Sequence, residues 1–409
     1  MYADLIIRSN CIVTCQEGAP FFIDGYIAVV KDKIQAVDEG EVPAKSIGPG
    51  TKLVDARGRT VIPGLIDAHT HLIHGGSREN ELSLKLKGVP YLEILKRGGG
   101  ILSTVASTRQ ASKEDLKAKA RKSLDEMLLH GTTTVEAKSG YGLDLETEIK
   151  CLEAARELDK EHPIDIISTY LGAHAIPEEY KGNTRGYMAF MMERVMPNIA
   201  QHKLAEFMDV FCEEGVFSIE ESRVLMESGR QLGFKLKIHA DEMVPLQGAE
   251  LAAKMQAVSA DHLLAASEDG LNAMSKAQVT AVLLPGTSFY LMLEKYANAR
   301  KMIEKGIKVA LATDYNPGTC PTENLQSIMT FACFGMKLTP EEIIKGMTIN
   351  AAYAVDRASE IGSIGSGKQA DLVILDAPNW DYVIYHFGIN HVDTVIKRGK
   401  IVVEHGNRI

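Results

Sequence analysis

Two imidazoles stand two residues apart at the end of an apolar stretch, His69 and His71 in Gly64-Leu65-Ile66-Asp67-Ala68-His69-Thr70-His71. On a β-strand, positions i and i+2 face the same side, so both rings aim at one point beyond the strand's end. Imidazole is the commonest ligand for zinc and also suits iron, and a catalytic metal keeps a position for water beside its protein ligands. A pair of surface histidines would give the same tripeptide, so the pattern needs company. Three more segments supply it. Lys237-Ile238-His239-Ala240-Asp241-Glu242 closes an apolar stretch with a histidine and two carboxylates, Ser259-Ala260-Asp261-His262 ends in a second histidine, and Ala310-Leu311-Ala312-Thr313-Asp314 ends in an aspartate. Each alone suits a hydrogen-bonded strand end. Together with His69 and His71 they describe a metal site.

Something must bring residues so far apart in the chain to one place. Apolar, β-branched runs recur at 61–72, 132–137, 164–171, 208–211, 236–239, 257–262, 279–284 and 308–313, with amphipathic helical stretches such as 113–130, 145–160 and 219–232 between them. That alternation predicts a parallel (β/α)8 TIM-like barrel of the α/β class. Seven of the eight runs lead into reactive side chains, namely His69/His71, Lys138/Tyr141, His174, Glu213/Glu214, His239/Asp241/Glu242, Asp261/His262 and Asp314/Asn316. In such barrels the active site lies at the carboxyl ends of the strands, so these groups converge on one rim. A doubly wound dinucleotide-binding sheet is the rival architecture, but no Gly-x-Gly-x-x-Gly follows a strand, and Gly98-Gly99-Gly100 follows no clear strand either. Residues 1–58 and 365–409 read instead as short strands separated by turns, such as Arg398-Gly399. They are expected to pair into one small β-sandwich domain, leaving 59–364 as the catalytic barrel.

Composition narrows the partners. The 409 residues are 45% hydrophobic and 24% charged, with a formal net charge of -9 and no Lys/Arg run. This disfavours nucleic acid or an anionic membrane and favours a small molecule. The segment 1–5 lacks the basic and apolar sections of a signal peptide, and no stretch of 18 apolar residues occurs, so the expected compartment is the cytoplasm. Six scattered cysteines, at 11, 15, 151, 212, 320 and 333, are expected to be reduced thiols there, with Cys11 and Cys15 filling core space.

The His-x-His on the first barrel strand, the histidines closing the fifth and sixth and the aspartate closing the eighth resemble the amidohydrolase superfamily of metal-dependent hydrolases. Longer segments resemble, within it, the branch that opens an imidazolone ring in histidine degradation. These are 75–81, Gly98-Gly99-Gly100-Ile101, 137–143, Leu171-Gly172-Ala173-His174 and 314–319. The likeness is collinear and runs across nearly the whole chain. It implies one metal ion per subunit, zinc or iron, divalent or trivalent, on His69, His71, His239 and Asp314. A second ion would need a bridging lysine or acid from the fourth strand, where Val210-Phe211-Cys212-Glu213 offers no lysine.

The substrate implied is 4-imidazolone-5-propanoate, whose ring carries an amide-like C–N bond open to metal-activated water. The resemblance assigns proton transfer to Glu242 and places His262 and Asp314 where they orient the nucleophile or stabilise the oxyanion. Asp261 is placed to position His262. His174 and Tyr141 match positions that contact the ring, and Asn316, Gly318 and Thr319 positions that contact the opened product. Arg78 is the expected two-pronged clamp for the propionate, and Glu242 lies within reach of the substrate as well. Tyr91 is a further pocket candidate. Thr319 stands where serine is more usual, which keeps the hydroxyl. His74, an unusual residue at its position, is expected to face solvent, with an extra ligand or proton carrier as the alternative. The resemblance also implies a homodimer. Another cyclic amidase or a heterocycle deaminase is the nearest competing activity, and Arg78 with Tyr141 argues against a neutral base as substrate.

Overall fold

Strand and helix alternate where the hydrophobic period alternates. The computed structural model describes residues 2–89, 93 and 98–409, so Tyr91 lies outside the described residues. The chain begins with β1 (Leu5–Val13), β2 (Phe22–Val30), β3 (Lys33–Glu39), β4 (Lys52–Asp55) and β5 (Thr60–Pro63). Eight parallel strands follow: β6 (Leu65–Thr70), β7 (Thr132–Lys138), β8 (Asp165–Ala173), β9 (Phe207–Cys212), β10 (Lys235–Ala240), β11 (Ser259–His262), β12 (Thr280–Leu283) and β13 (Val309–Leu311). Each pairs with the next in sequence order, the arrangement of a (β/α)8 barrel. The ring is clasped just past β13. There Thr70 bridges Tyr315 in parallel, the Asp314 N–H donates to the His69 carbonyl at 3.0 Å, and the His71 N–H donates to the Tyr315 carbonyl at 2.8 Å.

The helices start where the sequence supplies caps. Ser112 and Asp115 form a capping box ahead of Lys113–Leu129, and Ser218 and Glu221 another ahead of Ile219–Gln231. Both helices, like Leu145–Glu161, bury one stripe against the barrel.

The chain ends with β14 (Leu372–Leu375), β15 (Val392–Lys397), β16 (Lys400–Glu404) and β17 (Asn407–Arg408). These join the N-terminal strands in one sheet of order β17-β16-β15-β14-β5-β1-β2-β3, with β4 beside β1. The centre of that sheet is β14 antiparallel to β5. The run 61–72, expected as one strand, is therefore two. Gly64 turns the chain from β5 in the outer sheet to β6 in the barrel, at a point where a Cβ would meet the Thr133 side chain at 2.2 Å. No helix among the described residues is long and apolar enough to cross a membrane.

Candidate metal centre

The two-residue repeat of each strand decides what enters the barrel. Asp67 and His69 share a face of β6 with His71 just beyond it, Glu136 and Lys138 share a face of β7, and Lys237 and His239 share a face of β10. Asp314 follows β13 with its backbone in the left-handed region, φ 55°, a conformation costly for a residue with a side chain. Its surroundings hold it there. Asp67 accepts from the Thr313 N–H at 3.0 Å and the Thr313 hydroxyl at 2.6 Å, which fixes the residue just before it.

The expected ligands meet. The His69 ring centre lies 4.6 Å from that of His239, 5.5 Å from His71 and 5.6 Å from His262. Asp314 Oδ1 stands 3.5 Å from Nε2 of both His69 and His71. Two groups, His69 with His239 and His262, and His69 with His71 and Asp314, each offer donor atoms within 4.8 Å of one another. Nε2 of His69 and of His239 is buried with no hydrogen-bond partner among the described residues. Such a nitrogen is costly unless its lone pair is taken, so this donor set fits a cation. Burial holds His69, His71 and His262 well below the ordinary histidine range, in the neutral form that ligation requires. Asp314 is pushed up to about 6 by burial, against the hydrogen bond its Oδ2 accepts from Thr287 Oγ1 at 2.7 Å.

Beneath these ligands lies a charged layer that the sequence reading largely missed. Asp261 Oδ2 is 2.6 Å from His69 Nδ1, and Asp209 Oδ2 is 3.0 Å from His239 Nδ1. Asp261 thus supports His69, not His262 as expected, because its side chain points into the barrel while His262 lies one residue on. The fourth strand does carry an acid, Asp209, one residue before the stretch inspected for a bridging group. Its carboxylate is engaged by Lys138 at 2.7 Å as well as by His239. Thr287, just past β12, also escaped notice, although it fills the one strand end at which no reactive group was expected.

The expected substrate-contacting residues gather on the same rim. The His174 ring stacks on His71 at 4.8 Å, its Nδ1 stands 3.0 Å from the Gly140 carbonyl, and Tyr141 packs against both rings at 5.5 and 5.2 Å. Glu148, absent from the sequence reading, fixes that loop by accepting from the Gly142 and Leu143 N–H groups. Glu242 Oε2 is 3.5 Å from His262 Nε2, and burial with the Asp314 charge pushes its carboxyl up to about 8. Arg78 is buried and gripped in two prongs by Glu81, Nε and Nη2 each at 2.9 Å, with its guanidinium against Gly318. Asn316 shapes the 316–319 loop from within, its Oδ1 accepting from the Gly318 and Thr319 N–H groups, both at 2.8 Å.

Other expectations change. His74 is buried, not solvent-facing, because it packs between Tyr141 and Tyr315 with Nδ1 2.9 Å from the His71 carbonyl. Asp241, also a strand-end acid, accepts from the Leu246, Gly248 and Ala249 N–H groups and so caps the following helix. Glu213 accepts from the Met243 N–H and braces the loop that carries Glu242.

Comparison with known proteins identifies the family and the fold. The model described as "Amidohydrolase family" matches residues 52–97 and 91–403. The chain is 61% identical over 387 residues to the imidazolonepropionase of Alkaliphilus oremlandii, covering 94% of this chain and 92% of that one. It is 60% identical over 385 residues to the imidazolonepropionase of Treponema denticola, at 94% and 93% coverage, and 54% identical over 418 residues to that of Streptococcus gordonii, at 99% of each. Among solved structures it resembles a zinc complex of atrazine chlorohydrolase from Arthrobacter aurescens, with TM-score 0.76, 17% identity and coverage of 99% and 96%. A zinc-bound adenosine deaminase from Xanthomonas campestris superposes with TM-score 0.74 and 19% identity over 100% of this chain and 94% of that one.

Proposed function

We propose that this chain, which belongs to the amidohydrolase family and within it to the imidazolonepropionases, hydrolyses 4-imidazolone-5-propanoate to N-formimidoyl-L-glutamate. The observation that carries the reading is the meeting of His69, His71, His239 and Asp314 at the carboxyl rim with unpartnered nitrogens turned inward. Three imidazoles and a carboxylate accept zinc and iron alike, and we assign one such ion per subunit. When bound, it supplies Lewis acidity and an acidified water.

The chain's own residues do the rest. Arg78, oriented by Glu81, receives the propionate, while His174 and Tyr141 hold the ring near His71. Water adds to the ring carbonyl carbon, the C–N bond breaks, and the departing nitrogen takes a proton. Glu242 accepts the proton from the attacking water and returns one to that nitrogen, with His262 beside it steadying the charge on oxygen. Asp314 orients the water, and Asn316, Gly318 and Thr319 line the pocket of the opened chain. Supporting a cytoplasmic, reducing setting, all six cysteines are unpaired thiols. Exposed Phe289, Met292, Phe334, Phe387 and Ile389 support a homodimer.

The test follows the ultraviolet absorbance of the imidazolone after adding the protein. Absorbance is expected to decay, to persist after chelator treatment, and to decay again on return of zinc or ferrous iron. Persistence with untreated protein that contains metal would sink the assignment.

A further inference from the structure

Lys138 is shut completely inside the barrel, where an ammonium is stable only if partners fill its donors. An ammonium has three N–H bonds, and Lys138 faces three carboxylates, Asp209 Oδ2 at 2.7 Å, Glu136 Oε1 at 3.1 Å and Asp261 Oδ2 at 3.3 Å. Two of those oxygens are shared with histidines. The same Asp209 Oδ2 stands 3.0 Å from His239 Nδ1, and the same Asp261 Oδ2 stands 2.6 Å from His69 Nδ1. One cation therefore spans, through two single oxygen atoms, two imidazoles on different strands. Burial works against its charge, yet Asp209, Glu136 and Asp261 together hold it above the ordinary lysine range. Lys237, also fully enclosed, is not equivalent, since it reaches Glu136 at 3.1 Å, away from either histidine-bound oxygen. A carboxylate that accepts from Nδ1–H leaves Nε2 as the lone-pair nitrogen. Among the described residues, Nε2 is without a hydrogen-bond partner on both rings; His69 Nδ1 is bonded to Asp261, and His239 Nδ1 meets Asp209 as a close ion-pair contact outside hydrogen-bond geometry.

We propose that Lys138 is the positioning residue of the metal centre: it fixes Asp209 and Asp261 where they set the tautomer and aim of His239 and His69, and so governs how tightly the ion is held. The inference rests on the metal reading of the site and adds to it a residue that touches neither ion nor substrate.

The test uses the full chain with Lys138→Met, Asp261→Asn and the double variant. Zinc affinity is measured by competition with a chromophoric chelator, and ligand geometry by the visible spectrum of the cobalt-substituted protein. Lys138→Met is expected to bind zinc about 10- to 100-fold more weakly with an altered cobalt spectrum. The double variant is expected to lose less than the product of the single losses, because both changes act through one oxygen. Wild-type affinity and spectrum in folded Lys138→Met, or losses that multiply in full, overturn the proposal. Should Lys138→Met fail to fold, Asp209→Asn, Asp261→Asn and their double variant decide by the same rule, since both carboxylates meet at Lys138. Wild-type protein that binds no zinc or cobalt instead sinks the metal reading, which separates the two failures.

Discussion

Arg78 and Gly318 are fitted to each other so closely that a Cβ on Gly318 would stand 2.2 Å from Nη1. Arg78→Met removes a group matched in fork geometry to a carboxylate, and a charge-assisted hydrogen bond is worth about 1.5–3 kcal/mol. The KM for the imidazolone substrate is expected to rise about 10- to 100-fold with bound metal unchanged, as read by steady-state kinetics and elemental analysis. Gly318→Ala pushes the guanidinium off Glu81 without deleting it, so a smaller rise of the same kind is expected. At this scale the residues proposed as metal ligands, which the structure brings together, stood out because each ends or follows an apolar run. The groups beneath them did so less: Glu136, Asp209 and Lys237 lie inside those runs and Lys138, expected on the rim, lies beneath it, because a polar residue in a buried strand gives no hint of which partner satisfies it. His74 was misjudged for a related reason, since loop position alone does not reveal that two tyrosines cover it.

The turn from helix Leu145–Glu161 into β8 depends on one neutral imidazole. The Ile164 N–H donates to His162 Nδ1 at 3.2 Å, a bond that exists only while that nitrogen carries no proton. Burial lowers the His162 value from 6.5 to about 4, so as pH falls below 6.5 the unfolded chain takes up a proton that the folded chain refuses. The stability contributed by His162 is thus present above pH 6.5 and lost as pH falls toward about 4. Denaturant titrations across that window are expected to show a shallower acid loss for His162→Asn than for the parent, and parallel curves would refute the argument. Elements themselves were largely legible, because the amphipathic stretches 113–130 and 219–232 match the helices Lys113–Leu129 and Ile219–Gln231 to within a residue. The division of 61–72 between two sheets was not, since Val61 to Ile66 reads as one apolar run interrupted by Gly64, which lies beside Thr133 at the crossing.

The outer sheet is tied to the barrel's amino end by a buried lysine. Lys397 Nζ lies 2.7 Å from both Asp165 on β8 and Asp371 ahead of β14. Lys397→Met leaves Asp371 buried and short of a partner, which costs about 3–5 kcal/mol. A lower denaturation midpoint is expected with KM unaltered, because these groups stand at the opposite end of the strands from the reactive rim. The pairing of the two chain termini was suggested by their shared turn-rich style, but its register follows from β14 meeting β5, which no local pattern encodes. The clasp of the barrel has its own consequence. The backbone bonds joining His69 and His71 to Asp314 and Tyr315 involve the very residues that bear three of the assigned ligands. A cation on these proposed ligands is then expected to favour the closed hoop, and saturating ion at about 100 times its Kd to add about 2.7 kcal/mol to it. Stripped protein should exchange its amide hydrogens first along that seam, so the molecule is built to come undone where it works.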